Sequence, residues 1–320
     1  MVNYLDFEKS LADVEGKIRQ LNEQRLNEEE KTISLDEITK LETKAQDLLT
    51  EIYQDLGTWE KTQVARHPDR PHFKDYIHGM IKGFSPLAGD RVYGEDKAII
   101  GGLGQLDDFS VMLIGNEKGA DTETRLKHNF GMAHPEGYRK SIRLMRLAER
   151  YEIPVITFID TPGAYPGVGA EERGQSEAIA RSIDCTLSLK VPVISVIIGE
   201  GGSGGAMALA AANKVLMLEH SIYTVASPEA SASILWRSSK KSKEAAEAMK
   251  ITSQDLLNLN VIDEIIDEPV GGAHREHAQI IMQTKIAIKD SIISLKKFDP
   301  ESLVEKRRDK FLEIGRNLNI

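Results

Sequence analysis

Two short apolar strands, each running straight into a glycine-rich turn, lie in tandem at the centre of the chain. Ile153-Pro154-Val155-Ile156 leads into Asp160-Thr161-Pro162-Gly163-Ala164-Tyr165-Pro166-Gly167, and 38 residues later Val191-Pro192-Val193-Ile194 leads into Gly199-Glu200-Gly201-Gly202-Ser203-Gly204-Gly205. A helix-forming stretch follows each turn, so the strands are expected to be parallel neighbours joined by helical crossovers, with both turns at the strand C-termini. Glycine admits close approach of a backbone, and a turn that opens a helix aims unpaired N–H groups at whatever lies there. Paired turns of this kind point to oxyanion stabilisation or anion binding.

Composition narrows the class. A chain of 320 residues with 41% hydrophobic content can bury one large core with appendages. A formal charge of −9 argues against nucleic-acid binding as its main business. The single cysteine, Cys185, allows no internal disulfide and no zinc ribbon, so any structural zinc would belong to a partner. Met1–Ser10 lacks the basic start and apolar core of a signal peptide, and no apolar run reaches membrane-spanning length. A cytosolic chain with no membrane span is expected.

Along the chain, Leu11, Val14, Ile18 and Leu21 recur at helical spacing, and Ile38, Leu41, Ala45, Leu48, Ile52 and Leu56 continue a second stripe after a capping box at Ser34 and Glu37. Residues 1–57 therefore read as a helical hairpin arm, packed on its own domain or serving oligomerisation. Residues 58–97 carry Pro68, Pro71 and Pro86 and read as a connecting segment. Strands are expected at Ala98–Leu103, Phe109–Ile114, Val215–Leu218 and Tyr223–Ala226, and helices at Gly137–Tyr151, Ala170–Leu189 and Gly204–Asn213, giving an α/β core over 98–265. Residues 266–320 form a C-terminal helical segment, with Ser242–Met249 helical before it and Asp299-Pro300 opening the last helix.

The second turn admits two chemistries. Gly201-Gly202-Ser203-Gly204-Gly205 matches the G-x-S-x-G elbow of serine hydrolases, with Asp263 and His274 or His277 in the required order. Four glycines around one serine, followed by Ala206, fit a turn built for backbone access more economically. On that reading Gly204, Gly205 and Ala206 are main-chain donors at a helix N-terminus, aimed at an enolate-like oxygen.

Several longer blocks occur in order: Gly131-Met132-Ala133-His134-Pro135-Glu136-Gly137-Tyr138-Arg139-Lys140, then Asp160–Gly167 continuing through Gln175, then Gly199–Ala206, Ser227-Pro228-Glu229, Ile234-Leu235-Trp236 and Gly271-Gly272-Ala273-His274-Arg275. Together they resemble the carboxyltransferase α subunits of bacterial acetyl-CoA carboxylase, over nearly the whole chain. The resemblance implies a crotonase-type fold of repeated strand-strand-helix units and an α2β2 assembly. It implies transfer of a carboxyl group from carboxybiotin, carried on the biotin carboxyl carrier protein, to acetyl-CoA, giving malonyl-CoA, the committed step of fatty acid synthesis. Biotin carboxylase belongs to the larger complex; zinc is expected on the β subunit and no ATP site on this chain. Carried over by motif, Gly204–Ala206 would hold the ureido oxygen of biotin. Gly163, Ala164, Tyr165 and Gly167, with Gly201 and Gly202, would line the biotin site, where Tyr165 either packs on the rings or covers the core. A serine hydrolase using Ser203, or a non-catalytic assembly subunit, are the alternatives.

Other residues have plainer readings. Asp160 is read as fixing its turn by accepting backbone N–H bonds, Glu171 and Glu172 as suiting a helix N-terminus, and Cys185 as core. The basic run Arg139, Lys140, Arg143, Arg146 and Arg150 either attracts anionic partners or is a solvated or subunit-facing charged surface.

Overall fold

A strand buried at every position has to be covered on both faces, and Val155–Thr161 and Val193–Gly202 are buried at every residue. A computed structural model describes residues 3–27 and 35–316. Its helical hairpin comprises α1 (Lys9–Asn27) and α2 (Leu35–Gln54), followed by α3 (Thr58–Ala65), α4 (Phe73–Met80) and β1 (Lys82–Pro86). Strands β2 (Ile99–Leu106) and β3 (Phe109–Asn116) form a hairpin, then come α5 (Thr122–Lys127), α6 (Pro135–Arg150), β4 (Val155–Thr161), α7 (Val168–Glu172) and α8 (Gln175–Ser188). The remainder is β5 (Val193–Gly202), α9 (Ser203–Ala210), β6 (Lys214–Leu218), β7 (Ile222–Thr224), α10 (Pro228–Trp236), α11 (Ser242–Met249), α12 (Ser253–Asn258), β8 (Glu264–Ile266), α13 (His277–Leu295) and α14 (Pro300–Glu313).

One sheet runs in the order β1-β2-β3-β4-β5-β6-β8, with β7 paired to β5. The β1/β2 and β2/β3 pairs are antiparallel and the rest parallel, with Ile156 opposite Ile194. The ten-residue β5 serves two partners: Ile194–Ile197 pair with Lys214–Met217 of β6, whereas Glu200–Gly202 pair with Ile222–Thr224 of β7. The strand thus turns away from β6 as it approaches the second glycine turn. On one sheet face Met112, Ile114, Val155 and Ile197 pack with Leu144 of α6, Cys185 of α8 and Leu209 of α9. On the other, Leu113, Phe158 and Val196 pack with Phe73 of α4 and Ile288 of α13. Alternate strand residues feed alternate layers, as the pleat requires.

The expected strands and most helices are present, with three differences. The helix expected over Ala170–Leu189 is two, because Gly174 sits at φ +79° between α7 and α8 and reverses the chain direction locally. Residues 58–97 are not merely a connection: α3 and α4 are helices of eight residues, too short for periodicity to stand out, and β1 is the edge strand of the sheet. Strand β8, three residues long, lies at the other edge, where only helix was expected after β7. The hairpin packs through Leu11, Ala45, Leu49 and Tyr53 against Val64 of α3, which is the intramolecular reading of the arm. The capping box at Ser34 falls outside the described residues.

At the other end, Asp299 caps α14 by accepting the Ser302 N–H at 2.9 Å. The helix docks through Arg307, fully buried, whose guanidinium donates to the carbonyls of Thr186 in the last turn of α8 and of Leu189 and Val191 just past it, and to Asn213 Oδ1. Burial without a carboxylate partner brings this group down to about 10.

Candidate active site

The glycine turns meet because their parent strands are adjacent and in register. They are pressed backbone to backbone. A Cβ on Gly202 would collide with the Pro162 carbonyl group, and a Cβ on Gly205 would lie 2.7 Å from both the Ala164 nitrogen and the Gly163 carbonyl carbon. Gly163 itself adopts φ +149°, which side chains avoid. The Thr161 hydroxyl closes the first turn locally, donating to Gly163 O at 2.7 Å and accepting Gly163 N–H at 3.1 Å. Tyr165 N–H donates to Ala133 O at 3.0 Å, and Gln175 at the start of α8 donates to the carbonyls of Ala133 and Tyr165.

Not every expected lining residue faces open space. Gly201 and Gly202 end β5 and are buried, Gly201 because the Tyr223 ring of β7 lies where its side chain would be. Gly163, Gly205 and Ala206 are buried as well, while Gly167 is covered by the Tyr165 ring. The open rim consists of Pro162, Ala164, Tyr165 and Pro166 from the first turn and Ser203, Gly204 and Met207 from the second. Helix α9 begins at Ser203, so Ser203, Gly204 and Gly205 hold its first three positions and lack an acceptor four residues back within the helix. Ala206 differs: at the fourth position the ladder gives it the Gly202 carbonyl, so it is not among the free donors. Tyr165 packs at a tilt on His134 with ring centroids 4.4 Å apart, and His134 meets the buried Asp96 carboxylate at 3.2 Å through Nδ1.

The hydrolase constellation is not assembled. Ser203 is exposed with φ +50°, and its hydroxyl has no His or acidic partner among the described residues. Asp263 instead accepts from Val215 N–H and pairs with Lys310, His274 stacks on His67 at 3.8 Å, and His277 faces the Asp69 carbonyl at 2.6 Å. A cleft of about 880 Å³ beneath the hairpin includes His274 and Arg275 in its lining and no residue of either glycine turn.

Beneath the turns lies an ionic network that sequence reading missed. Asp160 Oδ1 accepts the Glu200 N–H at 2.9 Å, and Lys118 Nζ reaches Asp160 at 2.6 Å and Glu200 at 3.2 Å. Arg66 donates through Nε to Glu200 at 2.7 Å and through Nη1 to Glu229 at 2.6 Å. Burial works to raise the Glu200 carboxyl, yet Lys118 and Arg66 outweigh it and hold the group below its usual range. For Lys118 burial favours the neutral amine, but Asp160 and Glu200 reverse that and keep it charged. Lys118 follows β3 directly, so its place at a strand C-terminus was a signal available in the sequence; Arg66, 134 residues from Glu200, had none. Arg66, Lys118, Asp160 and Glu200 border a cleft of about 300 Å³ that also includes Pro162 of the first turn.

The basic helix is largely spent on the chain itself. Arg139 pairs with Asp90 and Glu136, Lys140 is buried against Glu95 and Asp96 O, and Arg143 donates to the carbonyls of Leu87, Ala88 and Gly89. Arg146 binds Glu149 and Ser188. Cys185 lies in the core, where burial pushes its thiol up to about 11.

A family signature described as acetyl co-enzyme A carboxylase carboxyltransferase-like matches residues 4–315. Among curated relatives, the acetyl-coenzyme A carboxylase carboxyl transferase subunit alpha of Parvibaculum lavamentivorans is 60% identical over 317 residues, covering 99% of each chain. That of Beijerinckia indica is 57% identical over 319 residues, covering 99% of this chain and all of its own. Among solved structures, transcarboxylase 12S superposes with a TM-score of 0.59 at 16% identity, over 75% of this chain and 45% of that one. The beta subunit of geranyl-CoA carboxylase from P. aeruginosa gives 0.54 at 15% identity, again over 75% and 45%. At such identity these two speak for the fold alone, which is crotonase-type; this chain spans less than half the length of either.

Proposed function

The chain belongs to the acetyl-CoA carboxylase carboxyltransferase family, in its α-subunit branch, and on that premise we propose that the two interlocked glycine turns hold carboxybiotin for transfer of its carboxyl group to acetyl-CoA. The observation that carries this reading is the N-terminus of α9, where half-buried Gly204 holds the second helical position, so that its N–H has no helix carbonyl to pair with. Carboxybiotin, presented by a carrier protein, would supply the carboxyl group that turns acetyl-CoA into malonyl-CoA. The chain supplies a fixed electrostatic field. Free N–H groups at a helix start favour negative charge on an oxygen placed there, and a donor of this type is worth roughly 100 to 1000-fold in rate. Rigidity makes the field useful: donors held by packed backbone need no reorganisation as charge develops. No carboxylate or imidazole stands free within the turns, which suits a reaction whose proton transfer is handled by the reacting groups.

The site is half of one. A β subunit completing it on the acyl-CoA side, in an α2β2 assembly that also carries the zinc, agrees with the exposed apolar side chains Val225, Ile234, Leu235 and Trp236 around α10. Biotin carboxylase and the carrier protein would complete the larger cytoplasmic complex. Among the described residues no helix is long and apolar enough to cross a membrane.

Gly204→Val tests the site. Its Cβ would rest 3.5 Å from Ile179, an ordinary contact, so the fold tolerates the change while branched bulk covers the donor end. Carboxylation of biocytin from malonyl-CoA by the assembled complex is expected to fall at least about tenfold, since one lost donor costs 100-fold or more. Full activity in an assembled Gly204→Val complex would remove the turns from the reaction.

A further inference from the structure

Arg66 stands between two parts of the chain, the base of the glycine turns and the start of α10, that no other ion pair joins among the described residues. It is the C-cap residue of α3, placed by backbone bonds from its N–H to the carbonyls of Thr62 and Gln63. Its Nε faces Glu200, three residues before α9, and its Nη1 and Nη2 face both oxygens of Glu229 in the first turn of α10. Glu200 in turn has its N–H on Asp160, which opens the first glycine turn, and its second oxygen on Lys118. One planar guanidinium therefore ties the base of both turns to the start of α10. The start of α10 is capped by Ser227 accepting the Ala230 N–H, and the helix buries Pro228 and Ala232 while Ile234, Leu235 and Trp236 are exposed.

We infer that Arg66 is a positioning residue for the carboxyl-transfer site, setting the Glu200 end of β5, and through it the α9 donors, to the position of α10. The inference rests on the function proposed above. A guanidinium serves both carboxylates at once because its donors point in fixed, diverging directions; a lysine ammonium at the end of a flexible stem engages one or shares poorly between two. A shift of the donor end by about 1 Å is enough to cost on the order of 100-fold in rate without altering what holds the acyl-CoA.

The test uses the chain assembled with its β subunit, in wild-type, Arg66→Lys, Glu229→Gln and doubly substituted forms, with kcat and KM for malonyl-CoA measured in biocytin carboxylation. Each single change is expected to lower kcat at least about tenfold, leave KM within about twofold and leave the melting temperature unchanged, and the double change is expected to be no worse than either, because both cut one linkage. Amide exchange over residues 200–206 should quicken in all three variants. Wild-type kcat in Arg66→Lys, multiplicative losses in the double variant, or losses explained by failed assembly or lowered melting would overturn the positioning role while leaving the proposed function standing. A wild-type complex without carboxyl transfer would overturn the function itself, and this inference with it.

Discussion

Asp160 accepts the backbone N–H of Glu200 at 2.9 Å, joining the last residues of two adjacent parallel strands at the level where both glycine turns begin. The same carboxylate oxygen lies where a side chain on Gly199 would be, so the strand can carry no Cβ there. The two turns are thus one structural unit, in which glycines make room for backbone and carboxylate, and the ligand is left the rim.

Gly204 and Gly205 should respond in opposite ways to the smallest substitution. Gly205→Ala places a methyl against the Gly163–Ala164 backbone and is expected to lose about 1–3 kcal/mol of stability along with most activity. Gly204→Ala meets only Ile179 at van der Waals distance and should melt within a degree or two of wild type. Thermal melting of the two proteins side by side checks this.

Ser203→Ala should retain carboxyl transfer, and wild-type protein should take up no fluorophosphonate label at Ser203. The hydroxyl is exposed on a left-handed residue, but neither His274, His277 nor Asp263 reaches it. Loss of all activity with covalent labelling of the wild type would restore the hydrolase reading.

Acid should unfold the chain partly through Glu268. This fully buried carboxylate receives two hydrogen bonds from Arg70, at 2.7 and 2.8 Å, and the N–H groups of His220 and Ala273. Burial alone would raise it; Arg70 and the N–H donors prevail and hold it at about 2. Its folded value lies below the unfolded one, so its stabilisation is complete above about 4.5 and is lost as pH falls towards about 2. Glu268→Gln should flatten the stability profile in that window and cost roughly 3–5 kcal/mol at neutral pH by leaving Arg70 buried and unpaired. Denaturant titrations at several pH values read both effects.

Arg307→Met should cost at least about 2 kcal/mol, because the carbonyls of Thr186, Leu189 and Val191 lose a buried donor, each worth about 1–3 kcal/mol when orphaned. Urea unfolding midpoints at constant m-value measure it.

What the sequence made legible is what depends on neighbours along the chain. The strands before each turn, the basic helix and the Asp299 cap follow from local pattern, and the ordered motifs pointed to the family; the Asp160 carboxylate, by contrast, accepts the Glu200 N–H of the neighbouring strand, while the Thr161 hydroxyl closes the turn itself. What it hid depends on distance. The burial of Gly201, Gly202 and Gly205 comes from Tyr223 and from the opposing turn, and the Arg66–Glu200–Lys118 network joins segments that share no periodicity. Which N–H groups at the start of α9 are free depends on the first helical residue, Ser203, a boundary that local pattern does not fix. Residues 58–97 were underrated because prolines at 68, 71 and 86 flank short elements here without preventing them.

Malonyl-CoA-dependent carboxylation of biocytin, compared between the purified chain and the chain assembled with its β subunit, tests whether the glycine turns form a carboxyltransferase site that a partner completes. Activity confined to the assembly is the predicted result; a well-assembled complex that transfers no carboxyl group would contradict that reading.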